Sequence, residues 1–453
     1  MSNYKKVSIV ILNHNGEKFL SNCLDSLSGL DYSKDKYEVV IIDNNSSDNS
    51  VEFIEKNYPK FKLIKNTKNM GFGESNNFAA KRVESEFIAF LNNDMRVEKD
   101  WLSRLISAID VEKGIVCAGS LILNWEGSEI DFAGGNINFM GFGTQKSYKK
   151  STSDTNLERC FIPFACGGSM LISREVFLDA GGFDEDYTFY NEDTDLGWRL
   201  WLYGYRVIFE PDSIAYHHHH GTGDIVLTQT HKRAFCDRNA LFTMFKNLDD
   251  KNLGRFFPIT LMLGILRIPA MTGIDTKKFF FNPELEINNL LENYNIRSHD
   301  LTWIAAVEDL TKDLPKLLEK REEIQGKRKI TDEDLFSRFE GFFNSGYFGY
   351  KYWKEFSTII NSFNMDEFTN DTALKIKLNE NAENEQIDMQ KEHIKNLEKI
   401  IFEKEQIINP VKQEIDDLKK KNQELESFAL KVHRNLIFRI YSYLKKLFNF
   451  QNK

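Results

Sequence analysis

The stretch VSIVILNHNG at residues 7–16 opens the succession that decides the fold. After it, short β-branched runs alternate with helical patterns. The runs are VSIVILN at 7–13, YEVVIID at 37–43, FKLIKN at 61–66 and FIAFLNND at 87–94, and the helical patterns cover 17–30, 48–58 and 74–83. This alternation is typical of crossover units on a parallel sheet with helices on both faces. The region therefore predicts an α/β fold with a Rossmann-like sheet.

Each of these strands ends in a polar residue, namely Asn13, Asp43, Asn66 and Asp94. In open α/β sheets, ligands bind beyond the carboxyl ends of the strands. We therefore expect these four side chains to converge on one crevice.

The rest of the chain changes character in steps. A second αβ unit covers residues 166–223, and beyond residue 247 the strand signals fade while helical patterns continue to about residue 369. With 453 residues the chain exceeds what a single core usually serves. We predict an α/β domain at 1–247 and a helical domain at 248–370.

The segment 371–430 carries a heptad pattern. Isoleucines recur at 387, 394, 401, 408 and 415, with Leu397, Val411, Leu418 and Leu425 on the second seam. The pattern predicts a coiled coil that joins copies of the chain into a homo-oligomer. A long helix packed on its own domain stays open as an alternative, because Pro410 should kink the helix.

The last segment, 431–453, interleaves lysines and arginines with aromatic and aliphatic residues. On a helical wheel the two sets fall on separate arcs, as in a helix that lies at a membrane surface. A terminal helix docked on its own protein is the alternative that composition leaves open.

The bulk properties exclude several classes of function. A formal net charge of −9 gives no general attraction to nucleic acid. Five scattered cysteines without a CxxC pair fit neither a disulfide framework nor a zinc site, so a cytoplasmic location is expected. The longest apolar stretch, at 258–272, is shorter than a membrane-spanning helix needs, and no transmembrane segment is predicted.

Two short motifs carry acidic residues. LNNDM at 91–95 puts Asp94 at a strand end, where a carboxylate can hold a divalent cation against a diphosphate, although such a sequence is also a common turn. NEDTDLGW at 191–198 crowds Glu192, Asp193 and Asp195 at a helix start, where acids also serve as caps. Because Glu192 and Asp195 share a face with Arg199, Asp193 is the candidate general base.

The third motif is HHHH at 217–220, after a predicted strand. Side chains alternate along a strand, so the four histidines cannot all serve one metal. One imidazole that completes a site with Asp94 would suit manganese as well as magnesium.

Taken together and in this order, VSIVILNHNG, IIDNNSSDNS, NMGFGESNN, LNNDM, CGGSMLISREVFLDAGGFDE, NEDTDLGWRL and AYHHHH resemble the family-two glycosyltransferases, which have the nucleotide-sugar fold called GT-A. The resemblance covers about residues 5–245. It is strongest to the rhamnosyltransferase-like branch of bacterial surface polysaccharide synthesis.

The resemblance implies roles for individual residues. Asp94 matches the last residue of the family's metal motif, Asn92 stands where its first Asp often is, and His217 lies 24 residues after Asp193, a base-to-histidine spacing similar to that of related transferases. Asp193 matches the catalytic base, with Glu192 and Trp198 beside the acceptor. The nucleotide contacts are assigned to Asn13, Asp43, Gly73, Asn76 and Asn93.

The implied activity is an inverting transfer of a sugar from a nucleoside diphosphate, dTDP- or UDP-linked, to a glycan or lipid-linked acceptor. The implied cofactor is a divalent cation, Mn²⁺ or Mg²⁺. The inner face of the cell membrane is the expected place for peripheral contact. A non-catalytic sugar-binding scaffold on a coiled coil and a nucleotidyltransferase are the alternatives. The latter is disfavoured because NHNGEKF replaces its Gly-rich, Arg-containing loop.

Overall fold

A computed structural model of the chain describes residues 4–218, 227–274 and 298–339, together with single residues beyond 339. The chain divides into two compact units, Met1–Lys375 and Ile376–Lys453. The sheet and the helices that follow it, which the sequence assigns to two domains, lie in the first unit. The predicted coiled coil falls almost entirely outside the described residues, as does the terminal amphipathic helix.

The described strands are β1 Val7–Asn13, β2 Tyr37–Asp43, β3 Lys62–Lys65, β4 Phe87–Asn92, β5 Met95–Val97, β6 Ile115–Asn124, β7 Ile130–Phe132, β8 Gly135–Ile137, β9 Gly143–Gln145, β10 Cys160–Phe161, β11 Ser169–Ser173 and β12 Arg206–His217. Ten of them form one sheet, with the main order β10-β12-β6-β11-β4-β1-β2-β3, while β8 and β9 form a separate hairpin. The pairs within β4-β1-β2-β3 are parallel, whereas β11 runs antiparallel to both β4 and β6. The sheet is therefore mixed, in an α/β fold.

The described helices are α1 Glu17–Ser28, α2 Ser50–Asn57, α3 Gly71–Ala80, α4 Trp101–Ala108, α5 Arg174–Asp179, α6 Glu192–Leu202, α7 Gln229–Asn247, α8 Asp250–Thr272, α9 Thr302–Lys327 and α10 Asp332–Phe336. Burial explains their placement: β1 and β4 are buried at almost every position, as strands covered on both faces must be. Helix α1 buries one stripe, formed by Phe19, Leu20, Cys23, Leu24 and Leu27.

Two features of this fold position the site. Strand β11 pairs Ser169 with Leu91, which brings the Gly167–Gly168 turn to the carboxyl end of β4. Strand β12 pairs His217 with Met95 on one side and with Asn124 on the other. The end of β12 therefore lies beside Asp94.

Helix α3 begins earlier than the sequence predicts, at Gly71 instead of residue 74. Gly71 has a φ of +75°, and a Cβ on Gly73 would lie 3.2 Å from the Asp184 carbonyl oxygen and 3.3 Å from Phe183. The glycines thus let the first turn of the helix pack closely against a distant segment, and local sequence does not show that contact.

Among the described helices, α8 has the length and apolar composition of a membrane span. This helix is longer than the apolar stretch at 258–272, which the sequence predicts to be too short to span a membrane, because the helix begins at Asp250. Its Arg267 is buried and donates two hydrogen bonds to Asp237 of α7, at 2.9 and 2.7 Å.

Candidate active site

Polar side chains at the ends of β1, β2, β3 and β4 form a group, which we call the strand-end cluster: Asn13, Asp43, Asn44, Asn66 and Asn93. All of them are buried except Asn66, which follows β3 and is half-buried. Asn13 Nδ2 donates to Asp43 Oδ1 at 3.1 Å, and Asn93 Nδ2 donates to Asn13 Oδ1 at 2.9 Å. These bonds tie three strands together at one edge of the sheet. The predicted convergence of Asn13 with Asp43 is confirmed.

Asn44 is the second centre of this cluster. Its Oδ1 accepts hydrogen bonds from Asn66 Nδ2 at 3.1 Å, the Met70 backbone N–H at 3.0 Å and Ser75 Oγ at 3.1 Å. Its own Nδ2 donates to Asn69 at 2.8 Å. One buried amide therefore holds the loop that leads into α3.

The residues predicted to bind the nucleotide have different positions. Asn13, Asp43 and Asn93 are 0%, 3% and 7% exposed, so they offer a ligand little more than an edge of the cluster. Gly73 and Asn76 are buried, and Asn76 Nδ2 donates to the Phe72 carbonyl within its own helix at 3.0 Å. The described hydrogen bond of Asn76 lies within its own helix, and the assignment of Gly73 and Asn76 to nucleotide binding stays a prediction.

Asp94 and His217, both predicted as metal ligands, lie together. The imidazole Nε2 of His217 is 3.5 Å from Asp94 Oδ2, and the Asp94 carbonyl accepts a hydrogen bond from the backbone N–H of His218 at 2.9 Å. On the other edge of the ring, Nδ1 is 2.7 Å from Oδ2 of Asp131. Burial lowers the pKa of His217, but hydrogen bonds to Asp131 and Asp94 raise it to about 10. The imidazole thus lies between two carboxylates.

The residues at this point fit a divalent cation. Asp94 Oδ1 is buried and has no hydrogen-bond partner in the described part of the chain. A buried acceptor without a partner is costly unless something else satisfies it. No group of three or more His, Cys, Asp or Glu ligands comes together within the described residues, so diphosphate oxygens and water would complete the coordination sphere.

Asn92 lies beside this pair, yet its surroundings are those of a packed residue. Its backbone N–H donates to the Gly168 carbonyl at 2.9 Å, and a Cβ on Gly168 would lie 2.9 Å from Asn92 Nδ2. No described contact joins its side chain to Asp94 or His217. Its assignment as a metal ligand stays a prediction.

Asp193 and Glu192 stand at the first turn of α6. Asp193 Oδ2 accepts the Gly167 backbone N–H at 3.0 Å, and Oδ1 accepts that of Thr194 at 2.7 Å. Burial raises the pKa of Asp193, and these hydrogen bonds oppose part of the rise. For Glu192, burial and then the charge of Asp193 raise the pKa to about 8. The two carboxyl groups are therefore coupled, and burial favours the neutral form of both.

The Gly167–Gly168 turn connects Asp193 with the segment that ends at Asp94. Gly167 bonds Asp193, and the adjacent Gly168 accepts the N–H of Asn92, two residues before Asp94. Cys166 lies here too, and burial followed by the charge of Asp193 raises the pKa of its thiol. The Gly167–Gly168 turn thus connects the predicted base to the strand that leads to Asp94.

Trp198, predicted to contact the acceptor, is fully buried and packs edge-on against Phe336, with ring centroids 5.4 Å apart. An acceptor cannot contact a side chain that is fully buried, so this prediction is wrong. Trp198 anchors α6 from behind, since Phe336 comes from the short helix α10.

Buried ion pairs also fix α6. Arg199 donates to Asp195 at 2.9 Å, and Lys246 of α7 lies 3.1 Å from Asp195 and bonds Asp184. Burial opposes ionisation of Asp184, but Lys246 and Lys320 hold its pKa well below the usual range. Lys246 of α7 thus contacts Asp195 on the helix that carries Asp193. Lys320 of α9 binds the neighbouring Asp184.

Sequence reasoning missed Asp131 and Asn44. Asp131 is a lone acid between Ile130 and Phe132 in a buried strand, which is a usable signal because unpaired charges are rarely buried. Sequence alone could not name its partner, which lies 86 residues away. A cavity of about 290 Å³ is lined by Asp94 together with Lys18, Phe19, Asn22, Trp125 and His218.

Comparison with protein families supplies an independent view. Residues 8–181 match the family model of Glycosyl transferase family 2. The matched residues contain the whole strand-end cluster, Asp94, Asp131 and the Gly167–Gly168 turn.

Two relatives show the same likeness. The chain is 30% identical over 224 residues to the O-antigen biosynthesis protein RfbC of Myxococcus xanthus, a match that covers 47% of this chain and 17% of that protein. It is 28% identical over 231 residues to the rhamnosyltransferase WbbL of Escherichia coli K12, covering 47% of this chain and 84% of that one. The first of these matches spans under a fifth of the relative's length.

Among solved structures, the chain is similar to that of GalNAc-T7 with UDP, GalNAc and Mn²⁺. The sequence identity is 19% and the TM-score is 0.47, over 70% of this chain and 58% of that one.

Proposed function

Because residues 8–181 form a glycosyl transferase family 2 domain, we propose that this chain is a metal-dependent, inverting glycosyltransferase. It moves a sugar from a nucleoside diphosphate to a hydroxyl of a glycan or lipid-linked acceptor. The observation that carries the proposal is the Gly167–Gly168 turn, which bonds Asp193 and the segment leading to Asp94. The proposed base and the proposed cation-binding carboxylate are thus connected through this one turn.

Asp193 is the general base of this reaction. The acceptor oxygen bonds to the anomeric carbon as the bond from that carbon to the diphosphate oxygen breaks, and the acceptor proton passes to Asp193. Burial favours this transfer because it raises the pKa of Asp193 toward the working pH. Attack opposite the leaving group inverts the anomeric configuration.

The leaving diphosphate develops negative charge, which a bound divalent cation offsets. Asp94 and His217 would hold that cation, since their oxygens and imidazole suit Mn²⁺ and Mg²⁺. Asn92 is the third residue that we propose near it.

Glu192 is proposed to bind the acceptor. Its Oε2 is buried with no hydrogen-bond partner in the described part of the chain, and its pKa is raised to about 8 by burial and by Asp193. A protonated carboxyl donates a hydrogen bond, which suits a hydroxyl oxygen of the acceptor. The same proton prevents charge repulsion with Asp193.

For the donor we propose dTDP-rhamnose, with UDP-linked galactofuranose, galactose and glucose as the other candidates. The support is the named activity of the relative from Escherichia coli, a rhamnosyltransferase. Cell-surface polysaccharide synthesis is the proposed process, and the Myxococcus xanthus relative is named for O-antigen biosynthesis.

We further propose a cytoplasmic enzyme that oligomerises through residues 371–430 and contacts the inner face of the membrane through residues 431–453. The support is the heptad of isoleucines and the basic amphipathic pattern of the last segment. Several weak membrane helices on one oligomer would bind with avidity.

The proposal is tested by turnover of the full chain with dTDP- and UDP-linked sugars. Release of nucleoside diphosphate is measured with a glycan acceptor, with and without Mn²⁺, and the product's anomeric configuration is read by NMR. The expected result is Mn²⁺-dependent release with inverted configuration. Release that is equal in EDTA, or a product with retained configuration, contradicts it.

A further inference from the structure

Asp131 lies on the edge of His217 that faces away from Asp94. The two residues reach each other across β6, because β7 pairs Ile130 with Leu123 and β12 pairs His217 with Asn124. Asp131 is on β7 and His217 is on β12, and both strands belong to the main sheet. The hydrogen bonds of the sheet therefore hold the two residues in a fixed relation. The side chain of Asp131 is 9% exposed and that of His217 is 23% exposed.

The two nitrogens of this imidazole have separate partners. Nδ1 is 2.7 Å from Asp131 Oδ2, and Nε2 is 3.5 Å from Asp94 Oδ2. An ionised carboxylate only accepts hydrogen bonds, so Nδ1 must carry a hydrogen toward Asp131. A bound metal ion would take the place of the hydrogen on Nε2, on the edge of the ring that faces Asp94.

Asp94 is held at the other end of this arrangement. Its carbonyl accepts the N–H of His218 at 2.9 Å, and its Oδ1 is buried without a partner in the described part of the chain. Nε2 of His217 therefore lies next to the carboxyl group that carries the unpartnered oxygen.

We propose that Asp131 is a positioning residue that holds His217 with its Nδ1–H toward Asp131 and its Nε2 toward Asp94, and so sets the affinity of the site for Mn²⁺. This inference rests on the metal site of the proposed function. Carboxylates that orient a metal-binding histidine commonly change metal affinity 10- to 100-fold when they are removed. Because Asp131 contacts the opposite edge of the ring from Asp94, it acts through the imidazole.

The test measures Mn²⁺ binding to the full chain from the EPR signal of free Mn²⁺. This measurement requires no turnover. Asp131→Ala should weaken binding about 10- to 100-fold. Asp131→Asn should lose less, because the amide oxygen still accepts from Nδ1–H. The matched control is Asp212→Asn, which makes the same change of charge on an exposed position of β12, where the side chain is 67% exposed. It should bind as the wild type does.

A double mutant separates action through the ring from direct coordination. In a His217→Ala background, Asp131→Ala should cost no further Mn²⁺ affinity, because the residue that it orients is gone. An additive loss would make Asp131 a ligand in its own right and overturn the positioning role. Unchanged affinity in Asp131→Ala with a lowered Tm would overturn it in favour of a structural role.

Turnover gives a second readout of the same variant. Asp131→Ala should raise the Mn²⁺ concentration needed for half-maximal rate and recover most of kcat at saturating Mn²⁺. A wild type that binds no Mn²⁺ would overturn the metal site and this inference with it, whereas normal binding without transfer would overturn only the proposed reaction.

Discussion

The site contains two groups of polar residues that differ in whether their side chains have hydrogen-bond partners. In the strand-end cluster, Asn13, Asp43 and Asn44 are buried, and each side chain bonds its neighbours. At the other end, which we call the acid end and define as Asp94, Glu192, Asp193 and His217, two carboxylate oxygens are buried without a partner in the described part of the chain. The four residues of the acid end are half-buried, and the two groups differ most in whether their buried polar atoms have hydrogen-bond partners.

This difference separates scaffold from chemistry. A satisfied buried network rigidifies the chain around it. An unsatisfied buried carboxylate costs stability, and such groups cluster where a ligand completes them. Substitutions at the strand-end cluster should therefore lower stability, whereas substitutions at the acid end should lower turnover or ligand binding without loss of stability.

The largest effect is expected for Asp193→Asn. Without a base, kcat should fall about 10²- to 10⁴-fold, while the Kd for nucleoside diphosphate with Mn²⁺ stays near the wild-type value. Steady-state rates and calorimetric titration measure the two quantities. Asp35→Asn, at a side chain 73% exposed, is the control and should keep full activity. Substantial turnover in Asp193→Asn would show that another group takes the proton.

Asn44→Ala is the counterpart at the strand-end cluster. It leaves three donors, on Asn66, Met70 and Ser75, without their acceptor. We expect about 3 kcal/mol of lost stability, since each buried donor left unpaired costs about 1–3 kcal/mol. Denaturant unfolding measures it, with the exposed Asn57→Ala as control. If the variant unfolds like the wild type but no longer turns over, the cluster is not a scaffold.

Glu192→Gln should have a smaller effect and the opposite sign. The folded-state pKa of Glu192 lies at about 8, above the ordinary value of 4.5, so the wild type loses stability as pH rises from the ordinary value through the raised one. Glutamine does not titrate. The variant should therefore gain on the wild type between about pH 5 and about pH 8, as thermal unfolding at several pH values would show. A gap between the two proteins that is independent of pH would contradict the buried, unpartnered state of Glu192.

Sequence reasoning reached the sheet well because its signals are local. The bounds Val7–Asn13 and Tyr37–Asp43 agree with the predicted strands, since both are β-branched runs that end at a polar residue. The start of α3 was misplaced because Gly73 packs against Phe183, a contact more than a hundred residues apart in sequence.

The same limit applies to the site. The predictions for Asp94, Asp193 and His217 rest on motifs that each span a few residues. Trp198 was misassigned because Phe336, which covers it, follows far along the chain. Asp131 was missed for the same reason, as its role depends on a histidine in another strand. Short motifs therefore indicate candidate reactive residues. Contacts between residues that are far apart in sequence decide which of these side chains a ligand can reach.

The most direct test of this division is thermal unfolding with Mn²⁺ and a nucleoside diphosphate, comparing the wild type with Asp94→Asn. A ligand at about 100 times its Kd adds about 2.7 kcal/mol to stability. The wild type should gain this when dTDP or UDP is supplied with Mn²⁺, and Asp94→Asn should gain far less. An equal gain in both proteins, or none in the wild type, would contradict a cation site at the acid end.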